Sequence, residues 1–481
     1  MAMTQSECAE LEHWIELIYE KALELGLDPY PVHFEVVPAH VIYELGAYAL
    51  PARFSHWTFG RDYHVQKTMY EYGISRIYEL VFNSDPAQAF LLDVNDMLSH
   101  KLVVAHVYGH SDFFKNNLYF EHTDRKMIER ARLHAERLRD YEARYGPLVV
   151  EQFLDAVLAI EEHIDPVLPT YESASRPPSS PPQDAPKGDS YEDIFYMVQP
   201  KPKPEPRQHK IPPEPMKDLL LFLRDYSRVL EDWQRDVISM VREEMLYFLP
   251  QIKTKIMNEG WASFWHERIL ENLPLTPDEH VQFRKMHASV IQPSSRLSIN
   301  PYSVGYKIFR DIERRWNGEV EPDEYESDWM GYPIDRPQGQ GMQKIFEVRH
   351  MECDQSFLHK YLTERLVREL DLYTYRVEER DGELVWVVDE TDWRKVRNAF
   401  VDQLTNFGVP VITVEDGDWE RRGELYLKHH YDGKPLDIER TARCMRYIHK
   451  LWGRPVHLET VIDDELVLLS CDGNVFTQHA L

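Results

Sequence analysis

NEGWASFWH, residues 258–266, is the stretch that decides the fold of this chain, because it puts one carboxylate on a mostly apolar helix. At helical spacings of three and four, Glu259 shares a stripe with Ala262, Ser263, His266, Ile269 and Leu270. A helix with so many apolar and aromatic residues is expected inside a domain. We therefore predict a buried helix whose carboxylate faces other polar groups.

HVYGH, residues 106–110, is the expected partner of that helix. The two histidines share one helical stripe with Ser99, Val103 and Phe113, so their imidazoles point the same way. Two histidines at i and i+4 can hold one metal ion, and a carboxylate from a second helix can complete the set. We predict that His106, His110 and Glu259 bind zinc or another divalent metal. The alternative is that both histidines are core residues and Glu259 is their ion-pair partner.

The catalytic base of such a site is not fixed by spacing. In H-E-x-x-H metallopeptidases a glutamate follows the first histidine and acts as the base. Val107 stands at that position here and cannot accept a proton. The candidates for the base are Asp112, His266 and Glu352. In the alternative arrangement His266 is the fourth ligand of a closed, structural metal site, and the protein is not an enzyme.

Six long motifs, in this order along the chain, resemble the stage V sporulation protein R (SpoVR) family: PARFSHWTFGRDY, YEYGISRIYELVFNSDP, HVYGHSDFF, NEGWASFWH, NPYSVGYKIFRDIERRW and HMECDQSFLHKYLT. The resemblance runs from about residue 7 to the C-terminus and is interrupted only near 170–215. NEGWA is also similar to the segment around the third ligand of aminopeptidase-class zinc peptidases. It therefore implies a helical fold like that of the zinc peptidases.

The resemblance implies a process more directly than a reaction. The name of this bacterial family refers to sporulation and to formation of the spore cortex, which is a peptidoglycan layer. One expectation is a metal-dependent hydrolase that acts on cell-wall-related substrates, and the alternative is a regulatory or scaffold protein on a degenerate peptidase fold. Family members are often encoded near a PrkA-type serine kinase, which implies a protein partner in that kinase pathway.

Composition excludes several other classes. The chain has 481 residues and a net charge of −27, and this acidic balance argues against binding to nucleic acid or to an anionic membrane surface. The four cysteines are far apart and form no CxxC motif, which is typical of a reducing compartment. No apolar run is long enough for a membrane helix, and the N-terminus does not resemble a signal peptide. We expect a cytoplasmic protein without membrane insertion.

The predicted fold class is α+β, with a mainly helical first domain. This SpoVR core domain comprises residues 1–165 and 216–316, since the histidine pair and Glu259 lie on opposite sides of a Pro-rich stretch. That stretch, 166–215, is predicted to be a disordered linker. Residues 317–345 are a connecting loop. A helix over 85–115 is expected to start at the cap NSDP, residues 83–86.

The last part of the chain, 346–481, is predicted to be an α+β domain. Helical and strand patterns alternate as helix–strand–strand three times at intervals of roughly 40 residues. We infer three α-β-β units in one antiparallel sheet with helices on one face. HMECDQSF, residues 350–357, begins this region with several residues of metal-ligand type. It is interpreted as a helix start, as a separate metal site or as a segment that contacts the His106 site.

Overall fold

A computed structural model describes residues 3–72, 79–165, 210–292, 299–320, 338–380 and 383–481. Helices dominate these ranges. In chain order they are α1 Gln5–Glu24, α2 Ala39–Tyr48, α3 Trp57–Glu71, α4 Met97–Asn116, α5 Met127–Tyr145, α6 Pro147–Leu158, α7 Leu219–Tyr226, α8 Asp232–Lys253, α9 Lys255–Glu271, α10 Pro277–Val290, α11 Pro301–Trp316, α12 Gly341–Met351, α13 Asp354–Tyr361, α14 Glu364–Glu369, α15 Trp393–Leu404 and α16 Ile438–Trp452.

The strands form three separate sheets. They are β1 Val32–Val37, β2 Glu79–Phe82, β3 Ala87–Leu92, β4 Thr374–Arg380, β5 Glu383–Glu390, β6 Ile412–Trp419, β7 Glu424–His429, β8 Val456–Ile462, β9 Glu465–Cys471 and β10 Phe476–Ala480. The orders are β1-β3-β2, β4-β5 and β10-β9-β8-β7-β6. Strand β3 pairs in parallel with β1 and antiparallel with β2. The α+β class predicted from the sequence is confirmed.

The chain divides into two compact units. The first comprises Met1–Gln152 and Glu243–Val409, and the second comprises Phe153–Arg242 and Pro410–Leu481. Compactness does not demonstrate independent folding, so the domain boundaries predicted from the sequence stay predictions. Of the predicted linker, residues 166–209 lie outside the described ranges. None of the helices in the described part of the chain has the length and apolar character that crossing a bilayer requires.

The core of the first unit is built around α4 and α9. Nearly every side chain of α4 from Leu98 to Phe114 is buried, as are most of those of α9. A helix that is covered on all sides lies in the middle of its domain. Trp261 and Trp265 of α9, both fully buried, pack with Phe309 of α11 and Phe346 of α12. This packing holds α11 and α12 against α9, which carries part of the site described below.

The second unit contains the five-stranded sheet. Its pairs are antiparallel except for β7 and β8, which run parallel because the connection through α16 returns the chain to the same end. Phe222 of α7 stacks on Trp452 at a ring-centroid distance of 5.5 Å. Asp218 accepts a 2.9 Å hydrogen bond from Arg242 within the same core. Helix α7, although it lies before the sheet in the chain, is therefore part of the hydrophobic core of this unit.

Two expectations about secondary structure need correction. Residues 87–92 form strand β3 and not the first turns of a helix, and α4 begins only after its cap Asp96, whose side chain accepts from the N–H of Ser99. The three α-β-β units in one sheet are not confirmed. The helix–strand–strand order recurs, but β4 and β5 pair only with each other and β10 adds a further edge strand.

Candidate metal centre

Helices α4 and α9 approach each other closely because small residues face one another. A Cβ at Gly109 would lie only 2.7 Å from the Cα of Ala262, so this glycine lets the two backbones touch. His106, three residues before Gly109, and His110, directly after it, project from α4, with ring centroids 4.5 Å apart. Glu259 projects from α9 toward both rings. The local helical pattern and this one close contact together assemble the cluster.

The three side chains converge on one point. The Nε2 atoms of His106 and His110 lie 3.6 and 3.5 Å from Oε2 of Glu259, and the three ligand atoms all lie within 4.8 Å of one another. These separations are too long for hydrogen bonds. They agree with about 3.3–3.5 Å between two atoms that share a tetrahedral ion at 2.0–2.1 Å. The predicted convergence is confirmed, and metal binding itself stays a prediction.

The other nitrogen of each ligand histidine is already engaged. Nδ1 of His110 lies 2.9 Å from Oδ1 of Asn258, and Nδ1 of His106 lies 3.0 Å from Nδ1 of His266. Because an amide oxygen only accepts, His110 donates from Nδ1 and keeps its lone pair on Nε2. Nε2 of His106 and Oε2 of Glu259 are buried without a hydrogen-bond partner among the described residues. Such orphaned atoms are typical of a site built for a further ligand.

The electrostatics favour a cation at this point. Burial, with help from the nearby His106, lowers the pKa of His110 to about 4, so this imidazole is neutral at pH 7. Burial acts to raise the pKa of Glu259, but the two imidazoles outweigh it and the pKa is lowered. Neutral imidazoles and an ionised carboxylate are the protonation states that metal ligands require.

Two residues that the sequence did not single out also face the cluster. Tyr302, the second residue of α11, stacks on His106 at a ring-centroid distance of 5.9 Å. The charge of Glu259 is the largest cause that raises the pKa of Tyr302 well above its usual value. Glu79 begins strand β2. Burial raises the pKa of Glu79, while the charge of His106 lowers it and the charge of Glu259 raises it, so this second carboxylate interacts electrostatically with both residues.

No sequence signal marked these two residues. A glutamate at the start of a short strand follows no helical spacing. Arg76, three residues earlier and of opposite charge, lies outside the described residues. Tyr302 follows Asn300 and Pro301, which are visible as a helix start, but a start does not reveal what the helix faces. Only packing between distant elements brings Glu79 and Tyr302 to the centre.

Comparison with known proteins places the chain in a family. A family model described as SpoVR like protein matches residues 5–409, and a model described as SpoVR-like C-terminal domain matches residues 410–463. The chain belongs to the SpoVR family. It is also 30% identical over 468 residues to the uncharacterized protein YcgB of Escherichia coli (strain K12). The aligned region covers 91% of this chain and 89% of that protein.

No solved structure matches the chain. The predicted likeness of the helical part to a zinc-peptidase fold is therefore not confirmed.

Asp112 does not face the cluster in this SpoVR protein. Two residues after His110 on a helix, its side chain points to the opposite side of α4. There Asp112 accepts hydrogen bonds of 2.8 Å each from the indole N–H of Trp261 and from the backbone N–H of Asp28, and Arg349 lies 3.5 Å away. The carboxylate is fully buried. The suggestion that Asp112 is the catalytic base is corrected: it ties three elements together.

Glu352 is likewise engaged elsewhere. Its carboxylate forms a 2.7 Å ion pair with Lys360. Its neighbour Asp354 accepts from the backbone N–H groups of Ile256 and Met257 at 2.8 and 2.9 Å and so caps the start of α9. The motif 350–357 therefore supports the helix that carries Glu259, and the described residues contain no second cluster of metal-ligand type.

His266 is close to the centre but is not free to act as a base or a ligand. Its Nδ1 faces His106, and its Nε2 lies 2.8 Å from Nδ1 of His287 on α10. Burial, followed by the charge of His106, lowers the pKa of His266 well below its usual value, so the ring is neutral. His266 therefore lies behind the ligand His106 and has both nitrogens in hydrogen bonds.

Proposed function

We propose that this SpoVR protein is a metal-dependent hydrolase whose metal ligands are His106, His110 and Glu259. The observation that carries the proposal is the convergence of two imidazole nitrogens and one carboxylate oxygen, with each nitrogen 3.5–3.6 Å from the oxygen, and with the phenol of Tyr302 stacked on His106. Three protein ligands leave one position of a tetrahedral ion open, which is the arrangement of catalytic sites. A divalent ion held there supplies a Lewis acid.

The chain itself supplies the groups for proton transfer. Glu79 interacts electrostatically with His106 and Glu259, and burial raises its pKa, which makes this carboxylate a stronger base than an exposed one. A base on strand β2 would take the role that the residue after the first histidine has in H-E-x-x-H enzymes, where this chain has Val107. Tyr302 stacks on His106 and limits the movement of that ring beside Glu259.

The substrate class follows from the family name alone. Cortex formation implies peptidoglycan, so an amide in a peptidoglycan precursor or a peptide derived from it is the proposed substrate. A connection with a PrkA-type serine kinase is proposed on the same ground. The second candidate function is a non-enzymatic regulator with a structural metal closed by His266. The hydrogen bonds on both nitrogens of His266 favour the first candidate, because they already engage the one lone pair of that ring.

The test combines metal content with turnover. Purified protein analysed by elemental mass spectrometry is expected to contain about one zinc or other divalent ion per chain, and His106→Ala is expected to lose it. Glu79→Gln should keep the metal but lose about 10²–10⁴ in the hydrolysis rate of peptidoglycan-derived peptides. Glu352→Gln, a buried carboxylate outside the cluster, is the control and should keep both.

Two results would contradict the proposal. A wild-type protein that contains no metal after purification and takes up none from a zinc buffer has no such centre. A Glu79→Gln variant that hydrolyses the peptides at the wild-type rate would remove Glu79 from the reaction. Metal binding without any turnover, in the wild type and with every peptide tried, would favour the regulatory protein with a structural ion.

A further inference from the structure

A row of three histidines connects the centre with a second carboxylate. His106, His266 and His287 are linked by the two ring-to-ring contacts of 3.0 and 2.8 Å, and Nε2 of His287 lies 3.7 Å from Oε1 of Glu267. The three rings are buried. Glu267 is fixed in place by the hydroxyl of Tyr306 at 2.6 Å and by a guanidinium nitrogen of Arg284 at 2.8 Å.

The row has two possible directions of hydrogen bonding. A neutral imidazole carries one N–H and one lone pair, so each ring that donates to the next fixes the state of its neighbour. If every ring donates toward Glu267, then Nε2 of His106 carries a lone pair. If every ring donates the other way, then Nε2 of His106 carries the proton and faces Glu259 at 3.6 Å. Only the first direction leaves His106 able to bind a metal.

We propose that Glu267 is a positioning residue that sets this direction and thereby prepares His106 for the metal. A carboxylate at 3.7 Å attracts an N–H of His287 and repels a lone pair, although the distance is longer than a hydrogen bond. The inference rests on the proposed function, since it concerns a ligand of the same centre. It adds a residue eight positions beyond Glu259 that touches none of the ligands.

The surroundings of Glu267 support this role. Burial lowers the pKa of His287 and the charge of Glu267 raises it, so the ring is held neutral while its N–H is drawn to the carboxylate. Glu267 and His287 also line a surface pocket of about 440 Å³. The outer end of the row thus lies at a pocket wall, while its inner end lies at the buried cluster.

The first measurement is metal affinity by competition with a chelator. Glu267→Gln keeps the shape but removes the charge, and should weaken zinc binding by about 10- to 100-fold, as is usual for residues that orient a ligand. Glu271→Gln is the matched control. Glu271 forms an ion pair with the same Arg284 from the next turn of α9 but does not contact the row, so its zinc affinity should equal that of the wild type.

A double-mutant cycle separates direction from folding. His287→Phe removes the last link and should weaken zinc binding to a similar extent, and adding Glu267→Gln to it should then change nothing further. Glu267→Gln with an affinity within twofold of the wild type, or with its full effect in the His287→Phe protein, would overturn the inference. In either case wild-type zinc binding would leave the proposed function standing.

The second measurement does not need metal. In protein with ¹⁵N-labelled histidine and no added ion, two-bond proton–nitrogen spectra report which nitrogen of His106 carries the proton. Glu267→Gln should increase the fraction of His106 with the proton on Nε2, and Glu271→Gln should not. An unchanged fraction in Glu267→Gln would refute the inference even if the wild type binds no metal at all.

Discussion

Gly260, which adjoins Glu259 on α9, lies against Gly305 of α11, and replacing it by alanine tests how the centre is assembled. The new Cβ would lie 2.3 Å from the carbonyl carbon of Gly305 and 2.7 Å from the backbone nitrogen of Tyr306. Ordinary contact begins at 3.4 Å, so the two helices would have to separate by about 1 Å. Both atoms belong to a backbone, which cannot rotate away as a side chain can.

The expected magnitude follows from two opposing effects. Overpacking of this kind costs about 3 kcal/mol, at the upper end of the usual range, and the better helix propensity of alanine returns about 1 kcal/mol. The net loss is about 2 kcal/mol. In a unit of about 320 residues, this corresponds to a fall of about 3 °C in the unfolding temperature. Separation of the helices should also disturb the stacking of Tyr302 on His106 and so weaken zinc binding.

The assay is calorimetric unfolding of the full chain, with zinc affinity as a second readout. Gly60→Ala is the control, because Gly60 lies on α3 in the same unit and a Cβ there meets nothing within 4 Å. That variant should gain up to about 1 kcal/mol from helix propensity. A Gly260→Ala protein that unfolds at or above the wild-type temperature would refute the packing argument.

Glu279→Gln leaves the buried ammonium of Lys101 without its 2.6 Å partner. In urea unfolding this variant should therefore lose about 1–3 kcal/mol more stability than Lys101→Met, and equal losses would contradict this. Burial raises the pKa of Asp354 to about 7. Protonation of Asp354 therefore stabilises the fold fully below about pH 4, and this contribution to the free energy of unfolding is lost as the pH rises through 7. Asp354→Asn should flatten this part of the stability profile in thermal melts between pH 5 and 8, and an unchanged slope would exclude the carboxylate as its source. Replacing residues 172–189 by a Gly/Ser spacer of equal length should leave the unfolding temperature nearly unchanged, whereas a large fall would show that the segment is packed. Because Val107 stands where endopeptidases have their base and the proposed substrates are peptidoglycan-derived amides, casein should not be hydrolysed in the presence of zinc, and robust hydrolysis that a chelator abolishes would disprove this expectation.

The parts of the site that the sequence predicted are those that depend on one helix at a time. A spacing of four residues places His106 and His110 on the same face, whatever else the chain does. The composition of NEGWASFWH likewise predicts a buried helix with Glu259 on it. The remaining assumption, that both faces meet, was supported by the resemblance to a family and is confirmed by the 3.5–3.6 Å distances.

The parts that the sequence missed depend on pairing between distant elements. AQAFLL, residues 87–92, is a short apolar run that suits a helix or a strand equally, and its pairing with β1 and β2 decides for the strand. The helix–strand–strand pattern near the C-terminus is local in the same way. Which strands share a sheet depends on partners far along the chain, and β4 and β5 pair only with each other.

The sequence by itself determined the family, the α+β class and the direction in which each helical side chain points, because these follow from motifs and from the period of a helix. The tertiary structure decided which polar groups meet inside. A buried carboxylate needs a partner, but nothing in the local sequence says which one. Asp112 therefore accepts hydrogen bonds from Trp261 and Asp28. Glu79, on a strand far along the chain from Glu259, interacts electrostatically with His106 and Glu259.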